Sequence, residues 1–244
     1  MILFISDLHL SPRSPGATAL FLRFLAGRAR QAEALYILGD LFEVWVGDDI
    51  DDAYHTAIIS ALRAASDAGL KIHLMHGNRD FALGERFAAA AGARLLPDPF
   101  DLVLPEWSFV LSHGDALCLD DPDYTAYRAK VRNPAWLQKM LARPRFFRRQ
   151  LGRYIRWRSR RRKRDLNLVY TDLQPAATDD FIRDHGYATF IHGHTHRAAT
   201  HDHMVDGIHV ERWVLADWHE DRGECLVWDG ESLQRETILA ENRP

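Results

Sequence analysis

The sequence predicts an α/β fold, and three observations carry that prediction. Five short apolar runs of strand length, at residues 2–6, 35–38, 71–75, 108–111 and 188–191, are separated by stretches with helical periodicity. Each run ends in side chains able to ligate a metal, several of them next to a glycine. After residue 200 the pattern changes to polar/apolar alternation, with Asp206-Gly207 and Asp229-Gly230 between strand-like runs, which predicts antiparallel hairpins. A chain of 244 residues is expected to form one domain over residues 1–244, interrupted by a helical insertion at about 122–168.

The first run, 2–6, is followed by Asp7 and His9. On an extended segment, residues two apart point to the same face, so this carboxylate and imidazole are expected to reach one ion. Residues 15–32 read as an amphipathic helix with Leu20, Phe21, Phe24 and Leu25 on one stripe. The central run 35–38 ends in Gly39 and Asp40, and the Asp40 carboxylate is expected to bridge two divalent ions. An acidic loop follows, with Glu43, Asp48, Asp49, Asp51 and Asp52. All five are expected to be solvated or to cap the next helix. That helix, 53–68, turns Ile58, Ile59 and Leu62 inward and stops at Gly69.

Residues 71–75 lead into His76-Gly77-Asn78-Arg79-Asp80. Asn78 offers a neutral oxygen ligand, Arg79 offers a fixed positive fork suited to phosphate, and His76 reads as structural. A short Ala-rich helix runs to about Ala91, with Gly92 as its stop. Residues 108–111 lead into His113-Gly114-Asp115. Strand signals then vanish between 122 and 168, where two or three helices are expected, broken near Asn133-Pro134 and Pro144. A helix resumes at Pro175. The run 188–191 ends in His192-Gly193-His194-Thr195-His196-Arg197.

Composition narrows the class. Two cysteines make no disulfide framework, so a reducing compartment is the default. The N-terminus has no basic n-region, and no window is apolar over about 18 residues, which points to a cytosolic protein. Net charge is −3, but residues 143–164 carry twelve of the 31 Lys/Arg and no acid. The remainder holds 19 basic against 34 acidic residues, a net −15: an acidic body with one strongly basic element.

Asp7, His9, Asp40, Asn78, His113, His194 and His196 thus follow five strands, and ligands in open α/β sheets collect at the carboxyl ends of strands. Asp7-Leu-His9, Gly39-Asp40, Gly77-Asn78, His113-Gly114-Asp115 and Gly193-His194-Thr195-His196 resemble the calcineurin-like metallophosphoesterases, in that family's order. The resemblance implies two packed mixed β-sheets flanked by helices. It also implies one metal on Asp7, His9, Asp40 and His196, and a second on Asp40, Asn78, His113 and His194. Many members place histidine where this chain has Arg79. Gly-Asn-Arg-Asp-Phe, with Ala34-Leu-Tyr-Ile-Leu-Gly-Asp-Leu-Phe-Glu43 and His192-Gly-His-Thr-His-Arg197, instead resembles the UDP-2,3-diacylglucosamine pyrophosphohydrolases of lipid A biosynthesis.

That branch hydrolyses UDP-2,3-diacylglucosamine to UMP and 2,3-diacylglucosamine 1-phosphate, usually with Mn2+, here by hydroxide attack on the α-phosphate with Asp40 and Arg79 as catalytic residues. The resemblance extends substrate contacts to Asn78, Arg79, Asp121, Ser159 and His194. Past Ser159 the family shows Asn or Thr and then Lys; this chain has Lys163 and Leu166, which leaves Lys163 as the phosphate partner. The insertion interleaves Phe146, Phe147, Tyr154 and Trp157 with its arginines. A solvated face and a nucleic-acid surface compete with a membrane-surface helix. The last fits a doubly acylated substrate, so the expectation is a monomer, peripheral on the inner face of the inner membrane, with no nucleic-acid partner. Another two-metal phosphoesterase and a non-catalytic lipid or partner-binding scaffold are the rival readings.

Overall fold

The computed structural model describes residues 1–50, 52–165 and 172–240, without the side chains of 158–160 and 162–165. Strand β1 (Ile2–Ile5), helix α1 (Pro15–Ala26), β2 (Ala34–Ile37), α2 (Ala53–Asp67), β3 (Lys71–Met75), α3 (Glu85–Ala91) and β4 (Ala93–Leu96) alternate in the first part of the chain. β5 (Phe100–Val103) and β6 (Ser108–Ser112) precede three helices, α4 (Pro122–Val131), α5 (Pro134–Leu141) and α6 (Arg145–Asp165). Then come α7 (Pro175–Asp184), β7 (Thr189–His192), β8 (Ala199–Val205), β9 (Ile208–Val214), β10 (Arg222–Trp228) and β11 (Leu233–Leu239). One sheet has the order β11-β10-β1-β2-β3-β4, the other β5-β6-β7-β9-β8. Both are mixed: β1 runs parallel to β2 but antiparallel to β10, and β6 runs parallel to β7 but antiparallel to β5.

The two-residue period of a strand explains the layering. Leu3, Ile5, Leu35 and Ile37 point toward α1 and α2, where they meet Leu20, Phe21, Ile58 and Leu62. Phe4, Tyr36 and Leu38 point the other way and pack on Phe109, Leu111 and Ile191 of the second sheet. Val110 and Phe190 then face α7 through Ile182. Strands with apolar neighbours on both faces need apolar residues at every position, which is why these runs read as unbroken in the sequence.

Three expectations require correction. The first helix ends at Ala26, not at residue 32: Gly27 breaks it, and Arg28–Gln31 form a 3-10 turn that carries the chain into β2. Two strands, β4 and β5, gave no signal. Each has four residues and lies at a sheet edge, so only part of it is buried. The acidic loop is not simply solvated. Asp52 does cap α2, accepting from the His55 amide at 3.1 Å. Asp48, however, accepts from the amides of Gly84 and Phe87, both at 3.0 Å, and so caps α3 instead. Asp49 pairs with the buried Arg148, and Glu43 pairs with Arg156, so the loop is a counter-charge for α6. Asp51 lies outside the described residues.

The insertion has three helices, as the prolines predict. Asn133 caps α5 through the Trp136 amide, and Pro134 occupies its first turn. The two Asp-Gly hairpins join β8 to β9 and β10 to β11. Among the described residues, no helix is long and apolar enough to cross a membrane.

Candidate metal centre

β1, β2, β3, β6 and β7 deliver their following loops to one place. The backbone there is unusual: Asp7 (φ 55°), His9 (48°), Asp40 (52°), His194 (68°) and His196 (56°) all lie in the left-handed region. Such conformations cost of order 1–3 kcal/mol each and persist only where the surroundings enforce them. Asp and His are among the side chains that tolerate them best. Asp7 and His9 therefore converge through a turn rather than along a pleat, and the extended-segment argument is corrected: β1 has already ended at Ile5.

Asp7 is fully buried. Its Oδ2 accepts from the His194 amide at 2.8 Å. Its Oδ1 has no hydrogen-bond partner, lying 3.3 Å from His196 Nε2 and 3.8 Å from His9 Nε2. Burial opposes its ionisation, but the imidazoles of His196, His113 and His9 hold the carboxyl well below the usual range. Asp40 lies between two histidines. Its Oδ2 is 3.8 Å from His9 Nδ1 and its Oδ1 is 3.9 Å from His113 Nε2. Burial pushes Asp40 up to about 7, against the pull of His113 and Arg79.

His113 Nδ1 donates to the Leu38 carbonyl at 2.9 Å, which leaves Nε2 facing Asn78 Oδ1 at 3.2 Å. Burial works against its protonated form, yet Asp40, Asp7 and Asp115 raise it above the ordinary histidine value. The ring of His194 lies 5.1 Å from that of His113, and burial together with His113 lowers its pKa to about 3. His196 is held on its far side by Asp217, at 3.1 Å from Nδ1; burial opposes protonation, but Asp217 and Asp7 raise it to about 9.

All seven expected ligand residues thus come together. Asp7, His9 and His196 form one group whose ligand atoms lie within 4.8 Å of one another, and Asp7, Asp40 and His113 form a second. The unpartnered Asp7 Oδ1 and His9 Nδ1, in a carboxylate–imidazole set, fit divalent cations. The glycines follow from the crowding. A Cβ on Gly39 (φ 91°) would lie 2.7 Å from His113 Nδ1, and one on Gly77 would overlap the Asp40 carboxylate. Two residues escaped sequence reasoning. Asp217 follows β9 with no motif around it. Asp80 is fully buried and accepts from the amides of Gly77 (2.8 Å), Asp40 and Phe42 (3.3 Å each), tying the β2 and β3 loops together.

The Calcineurin-like phosphoesterase family model matches residues 1–198. A UDP-2,3-diacylglucosamine hydrolase from Aromatoleum aromaticum is 47% identical over 93% of this chain and 93% of its own. Those of Stutzerimonas stutzeri and Klebsiella pneumoniae are 48% and 46% identical, over 89% and 90% of this chain and 91% of their own. This chain belongs to the UDP-2,3-diacylglucosamine hydrolase family of calcineurin-like phosphoesterases.

In this hydrolase-family chain, Arg79 leans over the centre. Its backbone amide donates to Asp40 Oδ1 at 2.8 Å, its Nε is 3.4 Å from Asp40 Oδ2, and its Nη1 is 3.0 Å from Glu43. Glu43 also reaches Arg156 of α6, so the carboxylate joins the insertion to the centre. Asp121 caps α4 through the Tyr124 amide at 2.9 Å, and the Tyr124 ring lies 5.6 Å from that of His194. The side chains of Ser159 and Lys163 lie outside the described residues.

Proposed function

We propose that the protein hydrolyses the pyrophosphate bond of UDP-2,3-diacylglucosamine to UMP and 2,3-diacylglucosamine 1-phosphate, with two divalent ions, Mn2+ foremost. The observation that carries the two-ion reading is Asp40, with one oxygen toward His9 and the other toward His113. Asp7, His9, Asp40 and His196 would hold one ion, and Asp40, Asn78, His113 and His194 the other. When bound, the ions supply a water acidic enough to ionise near neutral pH and positive charge for the phosphate oxygens.

The chain's own groups do the rest. The Leu38 carbonyl keeps the proton on His113 Nδ1 and so leaves Nε2 free to ligate. Asp217 orients His196 in the same way. Arg79 offsets charge growing on the pyrophosphate, exchanging its Glu43 partner for a phosphate oxygen. Asn78, Asp121, His194, Ser159 and Lys163 complete the substrate contacts, the last two from α6. Arg148 and Arg156 of that helix turn inward to Asp49 and Glu43, while Phe146 (74% exposed), Phe147, Tyr154 and Trp157 stay outward. That outward face, with its remaining arginines, suits the anionic inner face of a membrane, on which the protein works as a peripheral monomer.

The test is Mn2+-dependent release of UMP from UDP-2,3-diacylglucosamine, with an unacylated UDP-sugar beside it. Turnover of the acylated substrate alone, lost in Asp40→Ala, is the expected result. Hydrolysis of a general phosphodiester but of neither UDP-sugar would overturn the lipid assignment and keep the phosphoesterase.

A further inference from the structure

We propose that Arg132, at the junction of α4 and α5, is a positioning residue for the Asn78 half of the centre. The proposal rests on the two-ion reading above. Arg132 follows the last residue of α4, its amide donates to the Arg128 carbonyl at 3.0 Å, and Asn133 beside it caps α5. Helical hydrogen bonding on both sides therefore holds its backbone. Its Nη2 donates to the His76 carbonyl at 3.0 Å and to the Gly77 carbonyl at 3.2 Å, and lies 4.0 Å from Asp115 Oδ2.

One guanidinium nitrogen of the insertion thus bonds the loop that carries Asn78 and stands 4.0 Å from the loop that follows His113. His76 and Gly77 lead directly into Asn78, and Asp115 stands two residues after His113. Asn78 Oδ1 and His113 Nε2 are themselves 3.2 Å apart. Position 77 needs such a restraint. Only glycine fits there, because a Cβ would overlap Asp40, and glycine leaves the peptide that it shares with Asn78 free to swing. The Gly77 amide is fixed by Asp80, at 2.8 Å, and the Gly77 carbonyl by Arg132. The Gly77 amide and carbonyl lie in successive peptide planes, so holding both fixes the rotation of Gly77 between them, and with it the direction in which Asn78 leaves the main chain.

Arg128 supplies the control. It anchors α4 to the same carboxylate, with Nε 3.0 Å from Asp115 Oδ2, and none of its hydrogen bonds or ion pairs is to the carbonyls of His76 or Gly77. Removing Arg128 loosens the insertion but leaves the Gly77 peptide held. Removing Arg132 frees that peptide.

The experiment is a Mn2+ titration of the metal-free full-length protein by calorimetry and EPR, run on wild type, Arg132→Ala, Arg132→Lys and Arg128→Ala. Wild type is expected to bind two ions. Arg132→Ala is expected to bind one of them on the order of 10–100-fold more weakly and the other unchanged, as for other groups that orient a ligand from behind. Its kcat should fall at low Mn2+ and recover in excess Mn2+ with KM unchanged, which a general loss of structure would not produce. Arg132→Lys, which keeps a donor within reach, should recover part of the affinity, and Arg128→Ala should bind both ions as wild type does. Two ions bound to Arg132→Ala as tightly as to wild type would overturn the inference alone, and so would equal weakening of both sites. A wild type that binds fewer than two ions would overturn the two-ion reading and this inference with it.

Discussion

The two halves of the centre are held by different means. Around Asp7, His9 and His196 the orienting group is a carboxylate, Asp217, at 3.1 Å from His196 Nδ1. Both imidazoles keep some exposure, 17% for His9 and 20% for His196. Around Asn78 and His113 the orienting groups are main-chain carbonyls, Leu38 behind His113 and Gly77 under the guanidinium of Arg132, and His113 is fully enclosed. A carboxylate raises the basicity of its imidazole, but it titrates and is screened by salt. A carbonyl does neither. The open half is therefore sensitive to single charges, and the closed half to how tightly the backbone packs.

The largest effect is expected where the halves meet. Asp40→Ala removes the carboxylate proposed to serve both, and activity should fall on the order of 10^3-fold or more in a Mn2+-saturated assay; near-normal turnover would remove the bridging role. Gly77→Ala acts through packing, from the loop of the closed half onto the shared Asp40. Its Cβ overlaps Asp40, so most activity should be lost and the melting temperature should drop by several degrees in a calorimetric scan. Asp217→Asn strikes the open half through charge alone. It should weaken the binding of one of the two Mn2+ ions by about 10–100-fold and leave the other unchanged in a Mn2+ titration. An equal effect on both ions would erase the distinction between the halves.

The smallest effect lies outside both and supplies their baseline. Asp172 pairs with the buried Arg212 at 2.7 Å, and Arg212 in turn contacts His192 Nε2 at 3.0 Å, next to the His194 loop. Burial works against the Asp172 carboxylate, but Arg212 outweighs it and holds the pKa down to about 2 from 3.8. Between those values the unfolded chain binds more protons than the folded one. The pair's contribution is thus complete above about pH 4 and is lost as pH falls through about 2. The urea midpoints of wild type and Asp172→Asn should therefore converge over that window and differ by a constant amount above it.

Much of this was legible in the sequence, because strand ends are local. Asp40, Asn78, His113, His194 and His196 each follow an apolar run, and the helices stop at Gly69 and Gly92 as composition suggests. What was hidden depends on distant partners. Asp48 has the composition of an exposed loop residue, but caps a helix 36 residues further on. Asp49 and Glu43 find their arginines about a hundred residues away, on α6. No local pattern encodes such pairs. β4 and β5 were missed for the opposite reason: they are too short, and too little of each is buried, for a period to show.

The left-handed backbone at five of the seven proposed ligand positions bears on how such a chain drifts through sequence space. Asn and Gly occupy that conformation cheaply, whereas β-branched residues resist it. Asp7→Gly or His196→Gly would then erase a proposed ligand while leaving the turn that presents it. Descendants of this chain are free to shed chemistry one loop at a time and keep the two sheets intact, so an inert relative with this architecture is a neighbour only a few substitutions away.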